Sequence, residues 1–130
     1  MTSKLLTLLL VLIAAIVMVP ALRERAMPRV QFMMDPFYEW SARNRVNDIV
    51  RLVQEEETLG RPMPEVRRFP EFVDQRDFKK GAGTDPWGTP FYLRLTRKTF
   101  VVGSAGKDRT PNTTDDIVSS PQPRRAQPRR

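Results

Sequence analysis

The opening apolar run constrains this chain more than any other feature. Residues 5–19 carry no polar side chain except Thr7, and Ala21 and Leu22 extend the run past Pro20. With Lys4 and the terminal amine in front, the run is expected to be a transmembrane or signal-anchor segment over residues 1–22, or a cleaved secretory signal. Both stay open, because Val19-Pro20-Ala21 places small residues where a signal peptidase cuts. For an anchor, Lys4 and the short leading segment favour an amino end inside, and Glu24 partly offsets Arg23, Arg25 and Arg29 beyond the run.

The other end is equally biased. Residues 121–130 are almost entirely Pro, Gln and Arg, so 119–130 reads as a disordered basic tail and 23–34 as a linker. The folded domain is then expected over residues 35–118, roughly 80 to 90 residues, a size at which a hydrophobic core is only marginally sufficient. The net charge of +7 lies largely in the tail and in the arginines after the apolar run. Neither cluster is interleaved with aromatics, which argues for a solvated tail and a collar near membrane lipid and against nucleic acid. The chain has no cysteine and no histidine. That removes disulfides, thiol nucleophiles and the commonest general base, so neither an enzyme nor a small-molecule substrate is expected.

Asp35-Pro36 reads as a helix start, with an acceptor at the cap and proline in the first turn. From there Phe37, Trp40, Val46, Ile49, Val50 and Val53 recur at helical spacing, and Gly60 supplies a stop before Pro62 and Pro64. Pro20 and Pro28 are expected to bend or interrupt the segment before this helix. A short helical turn is expected over residues 70–78, with Phe69, Phe72, Val73 and Phe78 as packing residues. Asp85-Pro86-Trp87-Gly88-Thr89-Pro90 is dense turn chemistry. After it, Phe91, Leu93 and Leu95 alternate with polar residues, and 99–102 is a second β-rich run, so an antiparallel hairpin is expected.

Residues 104–116 form a polar loop with three carboxylates, several hydroxyls and Asn112. Hard oxygen donors at irregular spacing suit calcium, although the spacing is not that of an EF-hand. A solvated loop with aspartates capping its turns is the competing interpretation.

The order Asp85-Pro86-Trp87-Gly88-x-Pro90, then Ser104-x-Gly106-x-Asp108, then Asp115-Asp116-Ile117 resembles the carboxyl-terminal signature of the type II secretion major pseudopilin (G-type pseudopilin) family. The resemblance implies an α+β fold: an amino-terminal transmembrane segment, an amphipathic helix packed on a small antiparallel sheet, and a carboxyl-terminal metal-binding loop. It implies Ca2+ held by Asp108, Asp115 and Asp116, with main-chain carbonyls near Ala105 and Thr110. It also implies a structural subunit of a type II secretion or pilus-like envelope assembly. Such a subunit sits in the inner membrane with its carboxyl-terminal domain in the periplasm, among other pseudopilin-like subunits or secretion-machinery membrane proteins. The sequence departs from the family pattern in having no glycine before the apolar run, no glutamate within it, and Arg109 where the family has glycine. A non-polymerising, calcium-stabilised accessory module, anchored or exported, is the alternative that these departures raise.

Overall fold

The computed structural model describes residues 2–77 and 80–125. The chain falls into two compact units, Met1–Pro36 and Phe37–Arg130.

In the first unit, α1 (Thr2–Met18) has 17 residues, and a second helix, α2, begins at Pro20. At 1.5 Å per residue α1 spans about 25 Å, less than the ~30 Å hydrocarbon core of a bilayer. Among the described residues no helix is long and apolar enough to cross a membrane. The transmembrane segment expected over residues 1–22 is corrected accordingly. The run stops short at Met18, and the residues past Pro20 bring Arg23, Glu24 and Arg25 into α2.

α2 covers Pro20–Thr58 without a break. It therefore absorbs both the expected linker and the expected start at Asp35-Pro36. Each internal proline deletes one helical N–H donor.

The second unit is α+β. Ala42, Val46, Ile49, Val50 and Val53, spaced three and four apart on α2, are buried in one cluster with Leu93, Phe100 and Val102 of the sheet. The expected stripe divides at its amino end, where Phe37 and Trp40 are 56% and 62% exposed. Tyr38 instead turns its ring edge-on to Trp87, with centroids 5.9 Å apart. α2 closes with Gly60 at φ +73°, its N–H on the Glu57 carbonyl (3.1 Å) and the Arg61 N–H on that of Glu56 (3.0 Å). This is the Schellman arrangement, which satisfies two of the last carbonyls.

A single 3-10 turn (Val66–Arg68) leads into α3 (Phe69–Arg76). Phe69 and Val73 are buried, and Phe72 stacks on Phe69 at 6.1 Å. Phe78 lies outside the described residues. Glu56 is buried at the end of α2, where Arg61 (2.6 Å) and Arg76 (3.1 Å) neutralise it and connect α2 to α3.

The sheet is antiparallel. β1 (Tyr92–Leu95) pairs with β2 (Thr99–Ser104), and β2 pairs on its other side with β3 (Ile117–Val118) and β4 (Gln122–Pro123). Opposed pairs Leu93↔Val102 and Leu95↔Phe100 face the core, while Tyr92↔Gly103 and Arg94↔Val101 occupy the other face. β4 lies within the stretch expected to be a disordered tail. Its seat is built from the Arg124 N–H on the Lys98 carbonyl (2.8 Å), the Arg124 guanidinium on the Thr96 carbonyl (2.6 Å), and a bond from the Gln54 side-chain amide to that of Gln122 (2.9 Å).

Candidate functional site

The residues that the sequence singles out lie in two connected places, the 85–90 turn and the 104–116 loop. The turn is organised around Asp85, which is buried. One carboxylate oxygen accepts the Trp87 and Thr89 N–H groups at 3.1 and 2.8 Å, and the other accepts the Ser104 hydroxyl at 2.6 Å. Ser104, fully buried, in turn accepts the Gly106 N–H at 3.2 Å. A buried carboxylate is tolerable only when donors surround it, and here three converge. The turn and the start of the loop are thus one hydrogen-bonded unit. Trp87 is buried beneath it as a packing residue.

The loop is closed by Asp116. Its Oδ2 accepts the Tyr92 hydroxyl at 2.5 Å and the Asn112 N–H at 2.8 Å. Its Oδ1 accepts the Thr113 N–H at 3.2 Å and the Thr113 hydroxyl at 3.3 Å. Arg94 donates to the Tyr92 hydroxyl at 2.8 Å, lies 5.1 Å from the centre of that ring, and stands 3.8 Å from Oδ2 of Asp116. Burial pushes the Asp116 pKa up, but the donors from Tyr92, Asn112 and Thr113 outweigh it and hold the carboxyl below its ordinary value. Tyr92 is raised above the ordinary phenol value, first by burial and then by the Asp116 carboxylate it donates to.

Tyr92 reaches Asp116 because Gly103 stands opposite it in the hairpin. A Cβ on Gly103 would fall 2.3 Å from the tyrosine ring. The ring therefore lies across β2 in space that any side chain would fill. Gly106, at φ +70°, makes a second close approach: a Cβ there would meet the Asp115 carbonyl at 2.1 Å. That contact brings the two ends of the loop together.

Of the five residues implied as calcium ligands, Asp116, Asp108 and Thr110 accept hydrogen bonds within the loop. Asp108 is exposed and caps the Thr110 N–H at 2.9 Å, and the Thr110 carbonyl accepts the Thr113 hydroxyl at 3.1 Å. Ala105 is buried. Asp115 borders a recess of about 220 Å³ together with Glu39, Arg43 and Lys107. Among the described residues no group of three acidic, histidine or cysteine side chains could hold a metal ion. The metal-binding loop expected from the resemblance is corrected on this ground. The one carboxylate at the centre of the loop has both oxygens committed to protein donors, and the residues do not fit the ion.

Arg109 occupies the left-handed region at φ +59°, where the resembling family has glycine, and Asn112 does so at φ +70°. Asparagine tolerates this conformation, whereas arginine has no local compensation for it. Arg109→Gly is therefore expected to stabilise the second unit by about 0.5–1 kcal/mol, raising Tm by a few degrees. Differential scanning calorimetry on the two chains checks it.

Sequence inspection missed Tyr92, Gly103 and the buried pair Asp85–Ser104. The register explains the first two: a two-residue turn at Arg97-Lys98 sets Leu95 against Phe100 and so Tyr92 against Gly103, whereas a three-residue link at 96–98 would set Tyr92 against Val102.

No protein-family model matches this chain, and no curated protein or solved structure matches it either.

Proposed function

We propose that the chain is a pseudopilin-like structural subunit of a type II secretion or pilus-like envelope assembly, joined to its neighbours through α1. The observation that carries this is the surface of α1, where Leu5, Leu8, Leu10, Val11 and Val17 are each more than half exposed. A helix apolar on all sides is stable only when covered, and one shorter than the bilayer core is suited to cover by apolar helices of like subunits together with lipid. The 85–90 turn and the 104–117 loop, which carry the resemblance, support the same role. Partners are then other pseudopilin-like subunits or secretion-machinery membrane proteins, with the second unit in the periplasm at the inner membrane.

The chain has no native cysteine, which makes a crosslinking test clean. Single substitutions Leu6→Cys, Leu9→Cys and Leu12→Cys are introduced in the full chain, expressed in cells and exposed to a mild oxidant. A disulfide-linked dimer, the largest species that one cysteine per chain allows, is expected for at least one position. Monomer throughout would overturn the proposal and favour the non-polymerising accessory module.

A further inference from the structure

We infer that the 104–116 loop is held closed by a hydrogen-bonded protein latch, Tyr92–Asp116 braced by Arg94, and that it folds without calcium. In calcium-pinned loops the cation supplies the positive charge that draws carboxylates and carbonyls together. Here that position is filled from within the chain. The Asp116 carboxylate takes the Tyr92 hydroxyl and the Asn112 and Thr113 N–H groups, and shares the single Thr113 hydroxyl proton with the nearer Thr110 carbonyl, so both of its oxygens are engaged. The guanidinium of Arg94, 3.8 Å away, supplies the compensating positive charge. An ion entering at Asp116 would have to displace these donors.

The latch also has a built-in seat. Gly103 leaves the space in which the Tyr92 ring lies, and Gly106 allows the loop's start to touch the Asp115 main chain. The ring therefore connects β1, across β2, to the residue just before β3. Closing the loop in this way fixes Ile117, whose side chain is buried in the core. The inference is independent of how the chain assembles.

The test is thermal unfolding of the full chain in mild detergent, with millimolar calcium and then with excess chelator, beside the Tyr92→Phe variant. The wild-type chain is expected to melt at the same temperature in both conditions. Tyr92→Phe, which loses a hydrogen bond to a charged group, is expected to melt several degrees lower in both, by the same amount. A rise of several degrees on adding calcium to the wild-type chain, or a Tyr92→Phe variant that melts like wild type, overturns the latch. Should the variant not fold, calorimetric titration of the wild-type chain with calcium decides alone. No binding heat upholds the inference, and saturable binding at one site per chain defeats it.

Discussion

Phe69→Ala is expected to destabilise the second unit by about 3–5 kcal/mol, the cost of truncating a buried phenylalanine and leaving a cavity behind. Phe69 is fully buried in the cluster that joins α2, α3 and the sheet. Collapse around the gap is restricted on one side by Phe72, stacked against the same ring, and on others by Val73 on α3 and the strands. A domain of this size commonly holds about 5–10 kcal/mol in total, so the variant is expected to be close to unfolded at physiological temperature. Urea denaturation followed by tryptophan fluorescence checks this, since buried Trp87 belongs to the same cluster. A loss below about 1 kcal/mol would mean that Phe69 is not a core residue in solution.

Asp85→Ala is expected to cost about 2–4 kcal/mol, for a different reason. Little apolar surface is lost. Three donors lose this acceptor: the Trp87 and Thr89 N–H groups and the Ser104 hydroxyl, the last at a fully buried position. Asp85→Asn separates the two parts of the effect. Its carbonyl oxygen can still accept both N–H groups, and its amide can donate to the Ser104 oxygen, so about 1 kcal/mol is expected. Equal losses in the two variants would show that the charge, and not the acceptor geometry, organises the turn. The same urea titration measures both.

The elements that the sequence revealed are those governed by short-range pattern. Helical spacing at Val46, Ile49, Val50 and Val53, alternation at Leu93 and Leu95, and the glycine stop at Gly60 each correspond to a local physical requirement that the structure satisfies. The misjudged positions depend on surroundings. Proline at 28 and 36 argues locally for a break, through a lost N–H donor and a crowded carbonyl, yet α2 runs through both. Phe37 and Trp40 fit the apolar stripe by spacing, yet the residues of α2 fully buried in the cluster begin at Ala42, and ahead of them it is Tyr38 that packs against it. Asp116 illustrates the same limit in the loop. Three aspartates in a polar stretch suggest a cation, and nothing within the stretch itself discloses that a tyrosine hydroxyl from β1 comes across the hairpin to one of them. Residues 122–124 look like tail by composition and are placed by partners at Gln54, Thr96 and Lys98.

The pairing of Tyr92 with Gly103 also acts as an alignment key for the hairpin. Slipping β1 by one residue would bring the ring over Val102 or Ser104, and slipping by two would bring it over Val101 or Ala105, all of which carry a Cβ. One-residue slips would in addition turn Leu93 and Leu95 away from the core, a penalty that hairpins generally face. Two-residue slips preserve the inside–outside pattern and are the errors that hydrophobicity alone does not reject. A single missing side chain therefore distinguishes the native alignment from the misaligned hairpins most nearly equal to it in burial.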